Sequence, residues 1–378
     1  MFMFNPKRDA ITYSLTELKK MKDEGLVSKG LLEQLRSKAD KILSSPTITV
    51  TKKKLRAPTG NPHDYTSMGP YWWPNPDTKD GLPYIRRDGE VNPETKEENT
   101  FGAMCTQAQT SALAAFYFED ERYAKRAVDA LYDWYVNPDT YMNPNARYAQ
   151  FIPGICDGRC IGLIDFSGSY VVMDTVRLLE AMGAIDEEIV KSIENWYVDF
   201  TDWMITSEIG IDEDLTANNH ATYYDVQVLA AAIFTGRRAL AKRIITTAYN
   251  RRFKTQIMND GSQPHELART NAMGYSNMNL RGFLRIAVMA EKLGDSRFFE
   301  LDKDAGDCLI KLALDFLYPF MTKEKEFPYV QIHEIKNFPQ AALEVMLALE
   351  ERFPGNGYAE RVNLHKDDTA INLLVPAK

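Results

Sequence analysis

Positive charge is the scarcer sign in this 378-residue chain: 45 Lys and Arg face 53 Asp and Glu, giving a formal net charge of −8 and a pI near 5.4. General nucleic-acid binding rests on a surplus of basic residues, and this balance excludes it for the chain as a whole. An anionic partner would have to be met by local charge. Two short runs offer it, TKKKLR at Thr51–Arg56 and the Ile85-Arg86-Arg87 stretch, although such runs are first of all solvated surface. Cysteine is also sparse. Four residues, Cys105, Cys156, Cys160 and Cys308, are too few for a disulfide scaffold of this length. The CDGRC spacing has no second Cys or His pair beside it, so free thiols or one disulfide are expected, with no metal and no cofactor. No apolar run reaches membrane-spanning length, which leaves no membrane span to expect. The opening MFMFNPKRD is too short and too polar for a signal peptide, so these residues do not fix a compartment.

Strand-like alternation is rare, and what replaces it is helical periodicity. LLEQLRSKADKIL, TQAQTSALAAFYF, RYAKRAVDALYDWYV, YVVMDTVRLLEAM, EIVKSIENWYVDFTDWMI, DVQVLAAAIFTG, MNLRGFLRIAVMAEKL, DCLIKLALDFLYPFM and QAALEVMLALEERF all repeat apolar residues at three-and-four spacing. Their connections carry Gly, Pro, Asn and Asp. The pattern predicts an all-α fold of helical hairpins, either a solenoid or a closed (α/α) toroid, as one domain over residues 1–378. One stretch breaks the pattern. Between Pro46 and Asn99 no good helix is legible, yet Tyr65, Tyr71, Trp72, Trp73 and Tyr84 are too many aromatics for a solvated tail. Residues 46–100 are therefore expected to form a long aromatic-rich loop over a cleft, with some rings anchoring it and others facing a ligand.

The sequence TANNHATYYDVQVLAAAIFTG, Thr216–Gly236, places two amides and a histidine at a helix start. One Thr or Asn suffices as a cap. Thr216 or Asn218 can serve, which leaves Asn219 and His220 over. A second polar stretch, GSQPHELARTNAMGYSNMNL, collects Gln263, His265, Glu266, Arg269, Asn271 and Tyr275 between two helices. Each residue alone has an ordinary structural reading; the set does not. His and Tyr exchange protons, Arg clamps a carboxylate with two parallel donors, and an Asn amide donates to carboxylate or enolate oxygens. Such a kit suits removal of the weakly acidic proton beside a uronic acid's carboxylate, followed by loss of the group at C4. An Arg beside Tyr275 would favour its phenolate.

The NNH turn, the RTNAMGY segment and the GPYWWPNP stretch resemble the alginate lyase superfamily of polysaccharide lyases, with an all-helical toroid fold. The branch most similar is the Bacteroidetes type that cleaves alginate or the related polymer glucuronan. The resemblance runs in motif-bearing form from about Asn61 to about Phe283. It implies that Asn219 and Arg269 neutralise the carboxylate at the cleavage subsite while His220 and Tyr275 handle protons. It further implies that His63, Tyr71, Trp72, Trp73, Asn75, Asn218, Tyr223 and His265 contact an anionic polysaccharide, and that the enzyme works in the periplasm or outside the cell. Lys52 to Lys54, Arg86, Arg87 and Arg159 are candidates for the local positive charge such a substrate needs.

Two other readings use the same residues. A toroidal glycoside hydrolase would need two carboxylates set apart around a water, from Asp157, Asp165, Asp212 or Asp214. A non-catalytic glycan-binding protein would keep the aromatics and make the His, Tyr and Arg set structural. A zinc protease is a poor match, because His265-Glu266 lacks the second helical histidine of that motif.

Overall fold

In the computed structural model, residues 2–334 and 338–365 are described. They are predominantly helical, as the periodicity predicts, and fall into two compact units between which the chain passes repeatedly. The first takes residues 2–11, 32–215 and 230–237, the second residues 12–31, 216–229 and 238 onward. No helix among the described residues is long and apolar enough to cross a membrane. All four cysteines are free thiols, Cys105 and Cys308 buried, and the described residues hold no cluster of metal-ligating side chains.

The first unit is organised by the helix Phe101–Phe118, whose small alanines let neighbours close in on nearly every side. Thr100 caps it by accepting from the Ala103 amide, and Asp120 caps the next helix, Glu121–Tyr135. Its aromatic core runs from Phe101 to Phe166 (4.8 Å between ring centroids), on to Phe200 (5.1 Å) and then to Trp196, stacked at 4.9 Å. Tyr65, at 2% exposure, joins this core through an edge contact with Phe166.

The stretch from Pro46 to Asn99 holds no α-helix, as the sequence indicates, but it is built from short ordered pieces. Strand β1 (Thr66–Met68), β2 (Trp72–Trp73) and β3 (Ile85–Arg86) lie in it, and β4 (Tyr148–Phe151) follows further on. β2 and β3 pair antiparallel, Trp72 opposite Arg86, and β1 pairs in parallel with β4, Thr66 opposite Tyr148. Of the basic run, Lys52, Lys54 and Arg56 are exposed, and Lys53 alone is withdrawn from the surface. Lys53 is 2% exposed, its ammonium 3.3 Å from the Asn99 carbonyl and 3.9 Å from Glu97, so it ties the segment down from within.

In the second unit the helix Ala272–Lys292 is buried along most of its length. It approaches the Asn219–Phe234 helix closely enough that a Cβ on Gly282 would sit 2.9 Å from Thr222 Cγ2 and 3.2 Å from Tyr223 Cε2. A buried Arg252–Asp225 pair (2.9 Å) and the Phe253, Phe283 and Phe298 rings fill the space behind. Arg252 is carried by a π-helical turn, Tyr249–Phe253, which inserts an extra residue into the helical repeat.

Candidate active site

The turn before the Asn219–Phe234 helix divides its labour as the excess of polar residues suggests. Asn218 caps, its Oδ1 accepting from the His220 amide at 3.3 Å. Asn219 and His220 then fall on the buried side, at 1% and 8% exposure.

Asn219 is held by a residue that had no role in the sequence reading. Glu266, at 0% exposure, accepts from the Asn219 backbone N–H through Oε1 (2.6 Å) and from Asn219 Nδ2 through Oε2 (2.8 Å). A carboxylate only accepts, so this pair fixes which way the Asn219 amide faces. One Nδ2 proton is engaged and one remains, and the buried Oδ1 has no hydrogen-bond partner. Glu266 comes from a one-turn helix, Pro264–Leu267, whose first position is a proline already set to a helical φ. The same turn sends the adjacent His265 out to solvent.

Burial raises the Glu266 carboxyl above the usual range, while the Asn219 donors and the neighbouring Arg269 and His220 pull it back. Arg269 and His220 thus neighbour the carboxyl that holds Asn219. Tyr275 joins them: the Arg269 guanidinium carbon lies 4.0 Å from the centre of its ring. Tyr275 is half-buried in the first turn of the Ala272–Lys292 helix. That helix start is clamped from downstream, because Gln331 donates to Asn271 Oδ1 and accepts from the Met273 amide (3.0 Å).

Buried amides hold the rear of the cluster. Asn279 Nδ2 donates to Gln256 (3.0 Å) and Gln263 (2.9 Å), Thr222 donates to Gln256 (3.2 Å), and Gln263 donates to the Ser276 carbonyl (3.0 Å). These shared bonds couple the elements that carry them, although the buried Asn279 Oδ1 and Ser276 Oγ have no hydrogen-bond partner among the described residues. Tyr223 belongs to this supporting layer, its hydroxyl donating to the Met278 carbonyl at 3.0 Å.

The remaining sequence candidates lie in the first unit. His63 Nδ1 is 2.6 Å from the Tyr141 carbonyl, with the two rings packed at 4.5 Å. Asn75 accepts from the Asp77 amide and shapes a turn. The Tyr71 carbonyl accepts from the Arg87 amide. Trp73 donates its indole N–H to the Glu90 carbonyl (3.0 Å), whereas the half-buried Trp72 makes no such bond. Of the carboxylates that a hydrolase would need, Asp165 accepts from Tyr65 (3.1 Å), Ser67 and Gln150 (3.1 Å), and Asp157 and Asp212 are exposed. Sequence reasoning missed Glu266 and Gln331. Glu266 stood within the polar GSQPHELARTN stretch, but nothing there revealed its burial or its partner.

The alginate lyase family model matches residues 49–327. An alginate lyase from Bacteroides ovatus superposes with a TM-score of 0.91 at 35% sequence identity, over 97% of this chain and 98% of that one. Alginate lyase A1-III from Sphingomonas species A1 shares the fold at 14% identity, with a TM-score of 0.63 over 100% of this chain and 96% of its own. A histidine-to-alanine variant of A1-III complexed with a tetrasaccharide matches at 13% identity and a TM-score of 0.64, over 94% and 91% of the two chains. No curated protein matches the chain by sequence.

Proposed function

The chain belongs to the alginate lyase family and is a polysaccharide lyase; from that premise we propose that it cleaves alginate by β-elimination, with His220 and Tyr275 moving the protons and Asn219 and Arg269 neutralising the uronate carboxylate. The observation that carries this reading is the grouping of buried Asn219 and His220 with half-buried Arg269 and Tyr275 near Glu266.

A base removes the proton at C5 of the sugar, next to the carboxylate. The electron pair left behind forms the C4–C5 double bond, the bond from C4 to the glycosidic oxygen breaks, and an acid returns a proton to that oxygen. The first step creates negative charge on the carboxylate oxygens, and donors already aimed there lower its barrier most. Asn219 has one uncommitted Nδ2 proton for this, held in direction by Glu266. Arg269 stacks on Tyr275, so the cation that meets the carboxylate also orients the phenol. The chemistry needs a donor and an acceptor of protons, both present as His220 and Tyr275. Alginate lyases being enzymes of external polysaccharide, we place this one in the periplasm or outside the cell.

The test is ultraviolet absorbance of the purified protein on alginate, its mannuronate-rich and guluronate-rich blocks, and glucuronan. Absorbance from the new conjugated double bond should rise on alginate and fall about 10²- to 10⁴-fold in folded His220→Ala and Tyr275→Phe proteins, the range for losing one proton-transfer group. A rise on glucuronan alone would replace the polymer named here. No rise on any of them would overturn the elimination itself.

A further inference from the structure

Three basic side chains of the aromatic segment are already answered by acidic ones. Arg86 pairs with Asp88 (2.6 Å), Arg87 lies 3.9 Å from Glu90 while facing the Trp73 ring, and Lys53 is buried near Glu97. Arg159 is different. Among the described residues its guanidinium has no carboxylate within ion-pair distance, and its two hydrogen bonds go to neutral oxygens of one residue: Nε to the Gln150 carbonyl (3.2 Å) and Nη2 to Gln150 Oε1 (2.8 Å).

That arrangement is constructed. Gln150 sits at φ +49°, a left-handed conformation costly for a residue with a side chain, and its amide donates to Ser67 Oγ at 2.8 Å. Its side-chain amide is oriented by Asp165, which takes the Nε2 proton (3.1 Å) and so leaves Oε1 facing Arg159. Asp165 is itself engaged by Tyr65, Ser67 and Gln150. The carboxylate therefore holds the arginine at one remove and does not neutralise it directly. Arg159 is half-buried, and burial and the like charge of Arg86 both press against its ionised form. A fixed, partly desolvated cation with spare N–H groups is a ready anion receptor.

A flat apolar face stands beside it. The guanidinium carbon lies 5.9 Å from the centre of the Trp72 ring, and the absence of a side chain at Gly69 is what allows this. A Cβ there would fall 2.7 Å from Trp72 Cδ1 and 3.2 Å from Arg159 Nη2. Trp72 Nε1 has no partner among the described residues, in contrast to Trp73. An indole face suits a pyranose ring, and the guanidinium fork suits a carboxylate projecting from it.

We propose that Arg159 and Trp72 form a uronate-binding subsite, with Gln150 and Asp165 as its positioning residues. Its ligand is one carboxylate-bearing sugar of a polyuronate chain, stacked on the Trp72 indole with its carboxylate on the Arg159 fork. The inference rests on the lyase reading above for its ligand class.

The experiment is calorimetric titration of a mannuronate oligosaccharide, and of the same oligosaccharide with its carboxyl groups reduced, into His220→Ala protein, which on the lyase reading above should bind without turnover. Adding Arg159→Ala should weaken binding of the acidic ligand about 10- to 100-fold, the range for losing a charge-assisted bidentate contact, and leave the reduced ligand's affinity nearly unchanged. Arg159→Lys, which keeps the charge without the fork, should fall between. Gly69→Ala, which displaces Trp72, should weaken both ligands. If Arg159→Ala lowers stability too far, Gln150→Ala, which frees the guanidinium, supplies the same comparison. Equal affinity of the Arg159 variants and their His220→Ala parent would overturn the subsite alone. A parent that binds neither this nor any other polyuronate would overturn both the subsite and the substrate class on which it rests.

Discussion

A carboxylate with no solvent exposure that takes two N–H groups from one asparagine is doing the asparagine's orienting. Replacing Glu266 by Gln puts an NH2 group against donors that need an acceptor, and replacing it by Ala leaves the Asn219 N–H groups buried and unpaired. Glu266→Ala should cost about 1–3 kcal/mol of stability for that desolvation, read as a lower midpoint in urea. In Glu266→Gln the damage should appear chiefly in kcat, at least 10-fold, with KM changed less, since the substrate is still bound but its carboxylate is poorly met. The pH dependence has a definite sign. Because burial raises the folded-state carboxyl above its unfolded value, the folded protein holds a proton here more tightly. The stability Glu266 contributes relative to Gln is then greatest below the ordinary glutamate range and declines as pH rises through the folded value. A difference that grows with pH in this window would contradict the burial-dominated shift. This residue also marks the limit of reading chemistry from the chain. Asn219, His220, Arg269 and Tyr275 could be proposed from the chain because their side chains suggest proton transfer and carboxylate binding and because few other histidines compete. Glu266 could not, since acidic residues in polar connections are ordinarily solvated and its partner lies 47 residues upstream.

Elements were legible where one period holds for a dozen residues. Long helices such as Phe101–Phe118 and Ala272–Lys292 announce themselves by apolar spacing. The one-turn Pro264–Leu267 helix is too short to show a period, and the parallel β1–β4 pairing joins stretches about 80 residues apart through backbone groups that leave no mark on side-chain pattern. Two predictions belong here. Gly282→Ala drives a Cβ against Thr222 and Tyr223, so the two helices must part; a loss of about 1–3 kcal/mol is expected, with activity reduced because Asn219 and His220 ride on one of them. Wild-type stability and activity in that variant would show that the approach carries no constraint. Lys53 tests the stretch before Phe101. Burial pushes its ammonium down to about 8, against an ordinary value of 10.5. Between these values the unfolded chain keeps a proton that the folded chain has released, so stability rises with pH across the window. The rise should amount to no more than about 3.4 kcal/mol at 1.36 kcal/mol per unit, and Lys53→Met should abolish it. Parallel stability profiles for the two proteins between pH 8 and 10.5 would show Lys53 to be hydrated in the folded state.

At the scale of the whole molecule, an enzyme of net charge −8 is proposed to act on a polyanion, so long-range and short-range electrostatics oppose one another. Which wins depends on screening. At about 0.01 M salt the Debye length is about 30 Å, and an approaching polymer feels the net negative field of the chain; at about 0.1 M it is about 10 Å, and only charges near the binding residues act. Arg269, stacked on Tyr275, and Arg159, held by neutral oxygens, are such charges. Their attraction survives moderate salt and weakens once the screening length approaches the size of a contact, near 3 Å at 1 M. The kcat/KM on polymeric alginate should therefore rise between about 0.01 and 0.1 M NaCl and fall again toward 1 M. Short oligosaccharides, carrying fewer charges into the field, should show a shallower rise. Rates measured over that salt series on polymer and on oligosaccharide decide the matter. A decline from the lowest salt onward would mean that local cations govern encounter at every range, as in an enzyme whose binding face outweighs its net charge.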